Sequence, residues 1–120
     1  GVLAVVGALL KLRPDVAGWL RERCPEPPRG FPVRVLPDWV CEVLSPSNLA
    51  RDRVHKRRVY HQAKVGHYWI VDIQREVITV MRWAEAGWLV LDVLPVDGVF
   101  RAPPFEAAAI AWNAVFGKDG

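Results

Sequence analysis

Residues 37 to 47, Pro-Asp-Trp-Val-Cys-Glu-Val-Leu-Ser-Pro-Ser, thread two carboxylates through an apolar run that stops at a polar turn. At the strand period of two, Asp38, Val40, Glu42 and Leu44 share one face, while Trp39, Cys41 and Val43 take the other. A carboxylate on a face otherwise made of Val and Leu has to be hydrogen-bonded, paired with a cation or bound to a metal. Left alone in a core it would cost on the order of several kcal/mol. Glu42 is therefore the residue from which a functional reading starts.

At 120 residues and 52% apolar content, the chain is sized for one domain spanning 1–120 and has ample material for a core. A net charge of +3 and a pI near 9.2 permit a polyanionic partner without requiring one. Cys24 and Cys41 have no metal-ligand spacing, and Cys41 falls inside the strand segment, so reduced thiols and a cytoplasmic location are expected. Gly1 to Leu12 is almost wholly apolar with one lysine. It is short of the roughly 20 residues that span a bilayer and lacks a basic leader, so a buried helix or strand is expected, with no membrane association.

The remaining elements follow from periodicity and punctuation. Leu12 to Leu20 reads as a strand carrying Asp15, Cys24 to Pro32 as a Pro- and Gly-rich loop, and Val33 to Leu44 as the strand of Glu42. Asn48 to Val65 reads as a helix, with Ser47 or Asn48 as its N-cap, Leu49, Val54, Val59 and Ala63 as its core face and Gly66 just past its end. His67 to Asp72, Glu76 to Trp83 and Trp88 to Leu94 read as strands joined by hairpin turns at Ile73-Gln74-Arg75 and Ala84-Glu85-Ala86-Gly87. Pro103 to Phe116 is expected to form an apolar strand or short helix covering a sheet edge. The order is that of an α/β sandwich, with acidic residues entering from strands and basic ones from the helix.

Four ordered segments carry a family likeness: Leu12-Arg13-Pro14-Asp15-Val16-Ala17-Gly18-Trp19; residues 37 to 47; Arg51-Asp52-Arg53 with Lys56 and Tyr60; and His67-Tyr68-Trp69-Ile70-Val71-Asp72. Together they closely resemble the Uma family of restriction-endonuclease-like proteins, a branch of the PD-(D/E)xK nuclease superfamily. The resemblance covers nearly the whole chain from Leu12 onward. It implies a mixed β-sheet flanked by helices, an endonuclease hydrolysing phosphodiester bonds in DNA, and Mg²⁺ or Mn²⁺ held by acidic side chains at a bend in the sheet. On this resemblance Asp15 matches the Asp of the PD motif and Glu42 the following acidic position. The archetypal lysine place holds Leu44, and the family pattern moves that lysine to the next helix, where Lys56 matches it. The main-chain carbonyl of Val43 would complete the protein ligands of the metal. The family also has a helix and strands before the Arg-Pro-Asp segment, where Gly1 to Lys11 stand here. The chain is thus expected to be either a fragment of a longer protein or a shortened family member, its sheet edge exposed or paired with another chain as a homodimer.

These residue types suit the chemistry without the family name. Mg²⁺ prefers oxygen ligands and is commonly held by one or two carboxylates plus substrate phosphate. An ammonium on a flexible stem can orient the water or neutralise the developing charge. Each residue also has a plainer reading. Asp15 after Pro14 could punctuate a strand start, and Glu42 could be neutralised by Arg13, Arg34 or Lys56. Asp38, beside Pro37, is either a turn residue or the first metal ligand, ranking behind Asp15. Tyr60 shares a helix stripe with Asp52, Lys56 and Ala63 and is a secondary candidate. Arg53, Arg57 and Arg58 are candidate phosphate contacts, although a cationic helix run is usually a solvated face. His55, His61 and His67 are expected at the surface or at caps. Trp19, Trp39, Trp69 and Trp83 are expected in the core rather than stacking on bases. Two other functions stay open: a catalytically inactive nucleic-acid-binding or structural remnant of the fold, and a metal-binding module unrelated to DNA.

Overall fold

The computed structural model describes residues 3–6, 16–24, 36–44, 50–107 and 109–111. Along them run β1 (Leu3–Val6), β2 (Val16–Leu20), β3 (Trp39–Leu44), α1 (Ala50–Gln62), β4 (His67–Asp72), β5 (Val77–Ala84), β6 (Gly87–Pro95), β7 (Val99–Phe100) and β8 (Ile110–Ala111). The first six strands form one sheet in chain order, and β7 pairs with β8 in a second. Every neighbouring pair in the large sheet is antiparallel except β3 and β4, which run parallel with Trp39 opposite His67 and Leu44 opposite Asp72. A parallel pair cannot be joined by a tight turn, and α1 supplies the crossover. This is the mixed α/β sheet that the element order led us to expect. The apolar N-terminal segment, left between helix and strand, is strand over Leu3–Val6, antiparallel to β2.

The alternation in β3 sorts its side chains onto two cores. Val40 joins Ala17, Trp19, Tyr60, Val65 and Tyr68 under the helix. Trp39 and Cys41 join Trp69, Val71, Ile78 and Val80 on the opposite face. Phe100, Ala102 and Phe105 close that second face, with Phe105 meeting Trp39 and Trp69 edge-on at 4.9 and 5.6 Å. The indole of Trp69 donates to the Pro103 carbonyl at 2.7 Å. The described part of the C-terminal segment therefore covers a sheet face, where covering an edge was expected, because Phe105 packs against both Trp39 and Trp69. Residues 112–116 of that segment lie outside the described residues.

The helix packs differently from its apolar pattern. Val54, expected in the core, is 48% exposed, and the anchors are Tyr60, at 2% exposure, with Ala63 and Val65. At 100° per residue, the stripe Asp52–Lys56–Tyr60–Ala63 faces the sheet, and Val54 sits about 200° round from Asp52. Leu49 and the N-cap candidates Ser47 and Asn48 lie outside the described residues. The C-terminal cap also differs: Lys64, with φ of 59°, is the left-handed residue, and not Gly66. Its amide donates to His61 and that of Val65 to Tyr60, the bond pattern of a Schellman cap with Val65 and Tyr60 in apolar contact. Gly66 is instead where backbones approach: a Cβ there would meet the Asp38 carbonyl at 3.2 Å.

Both hairpins are close to expectation. The first has Ile73 to Glu76 between the paired residues Asp72 and Val77, with Glu76 at φ 58°. The second is a two-residue connection, Glu85-Ala86, between Ala84 and Gly87. A bulge at Val80/Met81 shifts the β5–β6 register.

Candidate functional site

Glu42 sits near the C-terminal end of β3, on the face covered by α1, and is 7% exposed. A carboxylate so placed needs partners, and α1 delivers two from successive turns of one stripe. Lys56 Nζ lies 3.1 Å from Glu42 Oε1, and Tyr60 Oη donates to the same oxygen at 3.2 Å. Asp52, one turn before Lys56, approaches its ammonium at 3.8 Å. The cluster is thus an acid on a strand and a cation held between two carboxylates on a helix, backed by a phenol. The Lys56 side chain retains 19% exposure, so the ammonium stands at the edge of the buried volume.

Tyr68 extends this wall. It pairs with Val40 across the parallel ladder, and its ring meets that of Tyr60 edge-on at 5.4 Å. Burial, reinforced by the negative charge of Glu42, pushes its hydroxyl well above the usual tyrosine range, against the opposing charges of Arg57 and Arg53. Sequence reasoning passed over Tyr68, although strand alternation places it on the face of Ile70, which stands opposite Glu42.

The other expected site residues separate. Asp38 is engaged elsewhere: its Oδ1 is 2.5 Å from Arg23 Nη1 and its Oδ2 accepts from the Leu20 amide at 2.7 Å. That makes it a clasp between β2 and the start of β3. Nothing in residue spacing ties Arg23 to Asp38; the antiparallel β2–β3 register does. Asp15 lies outside the described residues. Val43, on the opposite face from Glu42, packs against the second core. Arg53, Arg57 and Arg58 are exposed.

Two histidines depart from the surface or capping roles expected of them. His61 is packed, its Nε2 2.6 Å from the Ala84 carbonyl and its ring stacked on Trp83 at 5.2 Å. His67 is half-buried, and that burial lowers its pKa from the ordinary 6.5, outweighing the raising influence of Glu106. Trp83 is only partly buried and donates to the His61 carbonyl at 2.9 Å. Among the described residues no group of three or more His, Cys, Asp or Glu forms a metal cage, and no helix is long and apolar enough to cross a membrane.

A family model, Uma2, described as "Putative restriction endonuclease", matches residues 7–113. No curated protein matches the chain. Among solved structures the chain is similar to "a putative nuclease belonging to DUF820" from Anabaena variabilis, with a TM-score of 0.63 and 18% identity, covering 96% of this chain and 68% of that one. At that identity the likeness shows a shared fold.

Proposed function

The chain belongs to the Uma2 family, and on that premise we propose that it is a metal-dependent endonuclease that hydrolyses phosphodiester bonds in DNA. The observation that carries this reading is a buried strand carboxylate, Glu42, with the Lys56 ammonium 3.1 Å away. Leu44 occupies the archetypal lysine place, and Lys56 brings the missing cation back from the helix to the same strand.

Glu42 offers an oxygen donor of the kind Mg²⁺ or Mn²⁺ prefers. The described donors fit an ion held by one or two carboxylates, with water and phosphate completing its shell. Asp15 and the Val43 carbonyl are the further ligands in this reading. Support for Asp15 comes from the β2–β3 register, in which Val16, the residue after it, stands opposite Cys41, the residue before Glu42. When bound, the metal supplies a water of lowered pKa and a positive charge against the phosphate. Lys56 would hold its ammonium where charge develops on the phosphate, with Asp52 and Tyr60 setting its position and that of Glu42. Arg53, Arg57 and Arg58 would grip flanking phosphates. The buried thiols Cys24 and Cys41 fit a cytoplasmic setting.

One observation favours a second reading. Lys56 and Tyr60 compensate the Glu42 charge, as a structural ion pair in an inactive remnant of the fold would. Plasmid cleavage with Mg²⁺ or Mn²⁺, by this chain and by a version extended upstream, separates the two. The hydrolase reading expects nicking that Glu42→Gln abolishes and Lys56→Met lowers by about two orders of magnitude or more. Wild-type protein inert in both lengths, or cleavage indifferent to Glu42, supports the remnant.

A further inference from the structure

The groove between the last turns of α1 and the β5–β6 hairpin has a volume of about 250 Å³ and is lined by Arg57, Arg58, His61 and Gln62 on the helix side and by the turn from Ala86 to Trp88 on the other. Its charge is one-sided, since two guanidiniums line it and no carboxylate does. Among the described residues neither guanidinium makes an ion pair. A helix cation run is ordinarily a solvated face, but here two of its members rim a preformed hollow with an aromatic wall.

Three hydrogen bonds hold that hollow open. His61 Nε2 meets the Ala84 carbonyl at 2.6 Å, Trp83 Nε1 donates to the His61 carbonyl at 2.9 Å, and Trp88 Nε1 donates to the Arg57 carbonyl at 3.1 Å. The His61 ring stacks on Trp83 and meets Trp88 edge-on at 5.7 Å. With Nε2 spent on a carbonyl, His61 is a wall of the groove, and the donors left for an anion are Arg57, Arg58 and the Gln62 amide. The volume lies just under the roughly 300–1,000 Å³ of pockets for drug-sized ligands, which suits a phosphate with its sugar.

We propose that this groove binds the phosphodiester backbone of a nucleic-acid strand, at a phosphate flanking the one presented to Glu42 and Lys56. The proposal rests on reading the chain as a nuclease and adds Gln62, Trp88 and the hairpin to its substrate surface. The two places share a wall: Lys56 and Arg57 are consecutive on α1, and the Tyr68 ring touches Tyr60 at 5.4 Å and Trp88 at 5.3 Å. Guanidiniums grip phosphate whatever the base, so the groove positions the strand and leaves sequence unread.

The test is an NMR and anisotropy titration in EDTA with single-stranded oligothymidylate, and in a separate arm with inorganic phosphate. The Trp88 indole N–H resonance should shift saturably with oligothymidylate, and with phosphate only at far higher concentration. Arg57→Gln/Arg58→Gln should weaken oligothymidylate binding about tenfold or more and lower the slope of log affinity against log salt by about 1.4. Gln62→Glu, which keeps both arginines, should also weaken binding, while Arg75→Gln, a highly exposed cation off the groove, should change little. A silent Trp88 signal, phosphate bound as tightly as oligothymidylate, or unchanged affinity and slope in the double variant would overturn the proposal. Binding in EDTA needs no chemistry, so the two readings fail separately. Oligothymidylate at Trp88 without Glu42-dependent cleavage sinks the hydrolase and leaves the groove; Glu42-dependent cleavage with unaltered binding by the double variant does the reverse.

Discussion

Glu42 is tolerable in the sheet because one of its oxygens serves both Lys56 and Tyr60. That sharing couples the residue needed for chemistry to the residue needed for folding. Lys56→Met takes the ammonium away from a carboxylate of 7% exposure that keeps the phenol bond. Breaking a fully buried pair costs about 3–5 kcal/mol. Because the Lys56 side chain keeps 19% exposure, we expect about 2 kcal/mol here, read as a lower urea midpoint at unchanged m-value. Glu42→Gln removes the charge that Lys56 serves, so adding Lys56→Met to it should cost little further. The double-mutant cycle checks this, and additive losses would show that the ion pair contributes nothing to the fold. Glu42 was legible as a residue needing a partner, since a lone carboxylate among Val and Leu has few outcomes. That Lys56 reaches it depended on the helix crossing back over the strand.

Among the elements, α1 shows best what periodicity alone can and cannot say. Its existence and the stripe of Lys56 and Tyr60 followed from 3.6-residue spacing, but its core face did not, because a tyrosine and an alanine outcompeted Val54 for the sheet. Val54→Asp should accordingly stay within about 0.5 kcal/mol of wild type, whereas Val40→Asp, at 0% exposure, should unfold the domain; thermal melts of both variants check the placement. The end of the helix separates in the same way. Lys64 holds a left-handed conformation that costs a side-chain-bearing residue about 1 kcal/mol, so Lys64→Gly should raise stability by roughly 0.5–1 kcal/mol. Gly66→Ala should lower it, because the new methyl would press on the Asp38 carbonyl at 3.2 Å. Calorimetric melts showing the opposite signs would sink this account of the cap. A glycine near a helix end suggests a cap, and only the backbone path shows that this one is spent on close approach.

For the molecule as a whole, β4 carries the groups through which pH should act. Burial lowers the pKa of His67 from 6.5, so its neutral form is the folded one. Its stabilisation is whole above 6.5 and is lost as pH falls from there toward the folded-state value, because the unfolded chain takes up the proton first. Tyr68 acts at the other end: with its pKa raised from 10.0, stability is whole below that value and is lost as pH rises beyond it. Denaturant midpoints should therefore fall on both sides of neutrality, with His67→Gln flattening the acid limb and Tyr68→Phe the alkaline one; unflattened limbs would assign the titration to other groups. By itself the sequence determined the strand and helix order, the two-sided β3 and the family, because local periodicity and short-range motifs are properties of neighbouring residues. The Glu42–Lys56–Tyr60 cluster, the Arg23–Asp38 clasp and the groove beside Trp88 were decided by tertiary structure. Each joins residues far apart in the chain, and their meeting depends on sheet register and on the parallel crossover that lays α1 over β3.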